Sequence, residues 1–299
     1  MARTLIHQLL ALVCFLQLGL AVKEWNDLRV RYSPLKSKGY HKIPLTKNSS
    51  EFGEYVKTEP EADFNLPLDF YCYPDDPRAC FMFDRKGNVA GVQFSFLKDD
   101  VANVKPDDYD ISKLKNFKET NFFNVSAYSY RAYFTNPEKL TENGRQSMNE
   151  TAEGIWVYLD GELYEIPRYQ PSTPVYEGFY QQGCVRSMGQ HYFYKMDKNL
   201  TDCKKYFPLF SLYEDTNLVA IGLATVGKGS TGPKRDWYER PPRLALNFIV
   251  PSRPSCLDDL AKNYGLISMH VYLIDKPWKI ACKFIDNIIN EATDWLPIR

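Results

Sequence analysis

Apolar and aromatic residues in this chain fall in short runs broken by tight polar turns. Cys80 to Gly91 (CFMFDRKGNVAG) is an apolar run, a polar turn over Asp84 to Asn88, and a second apolar run containing a glycine. Phe210 to Gly222 (FSLYEDTNLVAIG) has the same form around a turn over Glu214 to Asn217. Two apolar runs joined by a tight polar turn predict a β-hairpin. Downstream, Ala132 to Pro137 is echoed by Leu246 to Pro251, and Trp156 to Leu159 by His270 to Leu273, each pair 114 residues apart. The pattern therefore predicts an all-β, mainly antiparallel protein of two similar lobes made by internal duplication, in which Phe134 overlies Phe248 and Tyr158 overlies Tyr272.

The predicted organisation follows from where that pattern starts and stops. Residues 22–64 are polar and unpatterned and read as an N-terminal arm, poorly ordered on its composition. Residues 65–167 form the first lobe, 168–183 (RYQPSTPVYEGFYQQG) a linker, and 184–299 the second lobe. Beyond Lys279, apolar residues at Ala281, Ile285, Ile288, Ala292 and Trp295 keep helical spacing up to Pro297. That spacing predicts a C-terminal amphipathic helix, and its polar side lacks the Lys/Arg-rich character of a membrane-surface helix.

Residues 1–21 change the picture of where the protein works. Arg3, the apolar stretch LIHQLLALVCFLQLGL and the small residues Gly19 and Ala21 have the layout of a cleaved signal peptide. No later stretch is long and apolar enough for a membrane span, so the expectation is a secreted, extracellular protein. The chain has seven cysteines and four histidines; with Cys14 and His7 in the leader, six and three remain. An even number of cysteines in an oxidising compartment predicts disulfides. The duplication selects Cys72–Cys80 and Cys184–Cys203, one within each lobe, and leaves Cys256–Cys282 as a bridge of the second lobe alone; the alternative is a cross-lobe bridge such as Cys80–Cys203. Sequons at Asn48, Asn124, Asn149 and Asn199 predict surface glycosylation.

Charge is balanced, 37 basic against 37 acidic residues, which argues against nucleic acid as a partner. Gly222 to Gly232 (GLATVGKGSTG) has the glycine and lysine spacing of a phosphate loop, but Gly229 stands where that motif needs Ser or Thr. Such a loop must also open a helix, whereas this one runs into Pro233 and then Pro241-Pro242, so it reads as the end of a hairpin strand. His191 and His270 lie in aromatic strand contexts (QHYFY and MHVYL) and are the candidate metal or catalytic histidines. Strand histidines in tandem β-domains resemble, in coarse architecture, the copper monooxygenases that hydroxylate peptides and catecholamines. Those enzymes need five histidines and a methionine for copper, a set that three histidines cannot supply. A structural, hydrogen-bonded role is the simpler expectation for both. No nucleophile elbow occurs, no residue is singled out as catalytic, and no cofactor is expected.

The two hairpins and Gln190-His191-Tyr192-Phe193-Tyr194 resemble a group of secreted arthropod proteins found in true-bug (heteropteran) venom and saliva. The resemblance implies secretion and a venom or salivary role, and transfers no active residue. The reading is a secreted, disulfide-bonded glycoprotein that acts by binding an extracellular protein or a small molecule, non-enzymatic in preference. Its alternative is a secreted hydrolase or single-metal enzyme that uses His191 or His270.

Overall fold

The two hairpins lie at the centres of two antiparallel sheets. The computed structural model describes residues 23–34, 36–147 and 149–282. In the first hairpin β5 (Asp76–Asp84) turns into β6 (Val89–Leu97), and in the second β14 (Leu209–Glu214) turns into β15 (Asn217–Val226). Gly87 takes a positive φ of 86° in the first turn, and Asp215 and Thr216 take 47° and 70° in the second, as a tight hairpin turn requires. Nearly every residue of these four strands is buried, which is why they read as continuous apolar runs rather than alternating ones.

Around β5 and β6, the first sheet adds β3 (Val56–Thr58), β4 (Leu68–Tyr73), β8 (Val125–Tyr133), β9 (Ile155–Leu159) and β10 (Glu162–Ile166) in the order β10-β9-β8-β6-β5-β4-β3, with β7 (Lys118–Phe122) also paired to β8. The second sheet runs β11 (Val175–Tyr176), β12 (Phe179–Val185), β13 (Gly189–Tyr194), β14, β15, β16 (Leu266–Tyr272), β1 (Arg29–Arg31) and β2 (Tyr40–Lys42). One hydrophobic core joins the inner faces, with Phe81, Phe94 and Tyr130 from the first sheet and Leu209, Leu223 and Val271 from the second. The Phe207 ring lies 5.6 Å from that of Tyr130 and 5.5 Å from that of Tyr194, an aromatic contact that crosses between the sheets.

Both sheets contain the hairpin and an antiparallel strand next to it. Gly91 stands opposite Met82 and Tyr133, and Gly222 opposite Phe210 and His270. The constant offset of 114 does not survive. Phe134 is buried just after β8, whereas Phe248 lies 72% exposed on the short helix α2 (Leu246–Ile249). Tyr158 is on β9, two strands from the hairpin, but Tyr272 is on β16 directly beside it. An apolar-aromatic-proline run fits the end of a strand and a single helical turn equally well, so the matched letters stand for different structures.

The N-terminal arm is part of the fold. β1 and β2 extend the second sheet, β3 extends the first, and Trp25, Leu28 and Val30 are buried. The Trp25 indole N–H donates to the Leu218 carbonyl at 2.7 Å, and the Arg168 guanidinium lies 3.8 Å from the Trp25 ring centroid. Three-residue strands are too short to show a period, which is why the arm looked unpatterned. The stretch 168–183 likewise holds β11 and most of β12. The phosphate-loop lookalike leaves β15 as an irregular loop, with Gly227 and Gly229 at φ 153° and 58°. A helix that the strand pattern did not foresee, α3 (Ser255–Tyr264), buries Leu257, Leu260, Ala261 and Tyr264 at helical spacing. The expected C-terminal helix lies largely outside the described residues, which end after a 3₁₀ turn at Pro277–Lys279.

Cys72 and Cys80 are bonded across the β4–β5 register. The other two bridges differ from the expectation: Cys184 pairs with Cys282 and Cys203 with Cys256, replacing Cys184–Cys203 and Cys256–Cys282. Cys184 is on β12, and in the turn that follows it the Ser187 N–H donates to the Ile280 carbonyl at 2.9 Å and holds the C-terminal stretch alongside. Cys203 is in a 3₁₀ turn before β14 and meets Cys256 on α3. The duplication, on which the expected pairing relied, does not select these partners; packing does. All four sequon asparagines, Asn48, Asn124, Asn149 and Asn199, are exposed.

Candidate ligand cavity

Side chains alternate across a strand, so pairing register decides which residues share a face. In the second sheet Phe193 pairs with Phe210, Phe210 with Gly222, Gly222 with His270, and His270 with Arg31. These five positions form one row on the sheet face opposite the one that carries Leu209, Leu223 and Val271. His191 is two residues from Phe193 on β13 and faces the same way. The segment from Glu239 to Leu257, with Pro241-Pro242, α2 and the start of α3, roofs this face and encloses a cavity of about 420 Å³.

Two glycines make the arrangement possible. A Cβ on Gly222 would lie 2.3 Å from both the Phe210 ring and the Met269 carbonyl oxygen. Without one, the Phe210 ring approaches His270 to 4.8 Å between centroids. A Cβ on Gly183 would lie 1.7 Å from the Phe248 carbonyl oxygen, so α2 rests directly on the β12 backbone.

The walls are mainly apolar, including Met188, Met196, Phe193, Leu246, Ile249 and Ile267. The polar groups gather at one end. Arg31 Nε lies 2.9 Å from Glu239 Oε1, and His270 Nδ1 lies 3.0 Å from Glu239 Oε2. Arg31 Nη1 also donates to the Ser187 carbonyl at 2.8 Å. Paired backbone hydrogen bonds of 2.8 and 2.9 Å between Glu239 and Ser268 fix the carboxylate beside β16. Burial works to raise the Glu239 carboxyl, but attraction to His270 and Arg31 prevails and holds it below the usual glutamate range.

The candidate histidines do come together, with ring centroids 6.4 Å apart and ring planes nearly perpendicular. His191 is fully buried. Burial first, and the nearby His270 second, depress its pKa to about 3, so the ring is neutral at physiological pH. Its Nδ1 is 2.9 Å from the Gly183 carbonyl, which can only accept, so Nδ1 carries the proton. The lone pair is then on Nε2, which is buried with no hydrogen-bond partner among the described residues. His41 stands apart: its Nε2 donates to the Asp236 carbonyl at 2.7 Å and its ring stacks on Tyr32. Among the described residues no cluster of three or more His, Cys, Asp or Glu side chains is placed to hold a metal.

Arg31 and Glu239 were invisible as site residues in the sequence. One lies in the arm and the other in a proline-rich loop; the pairing of β1 with β16 brings Arg31 to His270, and a separate bridge to Ser268 brings Glu239. Alternation in QHYFY and SMHVY places each histidine on a strand face but cannot say that the faces coincide. Comparison with protein-family models, with curated proteins and with solved structures gives no match for this chain. The class is therefore set by fold and site alone: a disulfide-bonded antiparallel β protein with a roofed apolar cavity on an outer sheet face.

Proposed function

We propose that this chain is a secreted glycoprotein that acts by binding a small, mainly apolar molecule in the cavity over the second sheet. The observation that carries this reading is the cavity itself, whose apolar walls and few convergent polar groups are the usual make-up of a small-molecule site. Three disulfides, and the lack among the described residues of any helix long and apolar enough to cross a membrane, are compatible with secretion. The signal-like leader and four exposed sequons support the same reading. A role in venom or saliva rests on the resemblance to true-bug secretions and is tested by gland-restricted expression.

Titration with the apolar fluorophore N-phenyl-1-naphthylamine tests the binding reading. We expect saturable one-to-one binding that Ala224→Phe, which fills the cavity, weakens by at least about tenfold. Absence of saturable binding, or binding that Ala224→Phe leaves intact, overturns it. One observation favours a second reading as a hydrolase: Glu239 orients the His270 imidazole as a carboxylate orients a general base. Ester hydrolysis by the wild type that His270→Phe abolishes would select that reading.

A further inference from the structure

The polar end of the cavity is specific about what it leaves unpaired. The Glu239 carboxylate is taken up by Arg31 and His270, and the Arg31 charge is neutralised by that same contact. His191, which lines the cavity, holds a buried, partnerless Nε2. The Gly183 carbonyl holds its proton on Nδ1, so that ring presents a lone pair at Nε2. We infer that the cavity selects apolar alcohols or phenols, whose hydroxyl donates to the Nε2 of His191, over molecules of equal size that lack a donor and over carboxylates. This rests on the reading of the cavity as a ligand site.

The physical reason is the asymmetry of buried hydrogen bonds. A ligand without a donor leaves the buried His191 acceptor unsatisfied, and a site built to hydrogen-bond a hydroxyl discriminates strongly against an analogue without one. A carboxylate would set its charge against the His191 lone pair and the Glu239 carboxylate, with both guanidiniums that line the cavity, Arg31 and Arg240, already paired to Glu239 and Asp236. The cavity volume suits a ligand of roughly 15 to 25 heavy atoms at protein packing density.

The experiment displaces N-phenyl-1-naphthylamine from the purified full chain with 1-dodecanol, its methyl ether and dodecanoate at neutral pH. The expected result is that the alcohol binds at least about tenfold tighter than either of the others. In His191→Phe, which keeps an aromatic ring and removes the acceptor, the alcohol-to-ether ratio falls toward one while ether affinity is retained. If that variant does not fold, the wild-type ratio decides alone. Equal or tighter binding of the ether, or a preference for dodecanoate, overturns the inference and leaves the ligand-site reading standing. Stoichiometric Zn²⁺ binding that requires His191 also overturns it, by assigning the lone pair to a metal. If the fluorophore and the whole series fail to bind, the ligand-site reading fails and the inference with it.

Discussion

His191 couples the stability of the fold to pH. Its pKa of about 3 and the His41 value of about 4 both come first from burial, and both lie below the ordinary imidazole value near 6.5. Between these limits the unfolded chain binds more protons than the folded one, so the native state loses stability as pH falls. The contribution is complete above about pH 6.5 and declines through the window below it. His191 alone accounts for about 3 kcal/mol by pH 4. Urea unfolding at pH 7.5, 5.5 and 4.5 should show this loss, and His191→Phe should flatten the slope. Stability that stays level across the window would refute the burial argument. Glu239 acts in a separate range: its carboxylate supports the fold above the usual glutamate region, and that support is lost in stronger acid.

At the scale of elements, the loop that resembles a phosphate site performs a structural task. Arg78 on β5 is buried between Asp76 (2.9 Å) and Asp100 (3.2 Å), the latter on α1 (Lys98–Val101). The GKGST loop from the other sheet closes over this cluster. Arg78 Nη2 donates to Ser230 Oγ at 2.6 Å, and the Ser230 N–H donates to Asp100 Oδ1 at 2.6 Å. The clamp thus joins the two sheets at a point where the core offers no room for side chains: a Cβ on Gly232 would lie 2.0 Å from Asp76 Oδ2. Removing one member of a buried ion cluster strands the others without compensation. Arg78→Met should therefore cost about 3–5 kcal/mol in chemical denaturation. Lys228 is exposed, and Lys228→Ala should stay within about 0.5 kcal/mol of the wild type. A mild effect of Arg78→Met would remove the clamp from the account of stability.

For the whole molecule, the disulfides bind the covering segments to the sheets. Cys184–Cys282 closes a 98-residue separation and fastens the C-terminal stretch to β12. Cys203–Cys256 closes 53 residues and fastens α3 over the second sheet. In the chain-entropy account the longer loop contributes about 4–5 kcal/mol by restricting the unfolded chain. Non-reducing peptide mapping of the secreted protein should join Cys184 to Cys282 and Cys203 to Cys256. A peptide that links Cys184 to Cys203 would contradict this architecture. The same digest after enzymatic deglycosylation should find modification at Asn48, Asn124, Asn149 and Asn199, and an unmodified site would be struck from the glycoprotein reading.

The sequence by itself determined the all-β class, both hairpins with their turns, and the end of β15 in a loop rather than a nucleotide site. These are local properties: a run of five to ten apolar residues, a turn residue with positive φ, or a proline acts within its own neighbourhood. The cysteine partners, the role of the arm and the cavity were decided by tertiary structure, because each depends on which strands become neighbours. Arg31 meets His270 only through the pairing of β1 with β16, a contact about 240 residues apart in the chain. Phe134 and Phe248 share a local pattern yet have opposite fates, one buried beside β8 and the other exposed on α2. Sequence spacing measures distance along the chain, and packing places side chains by shape and register in space.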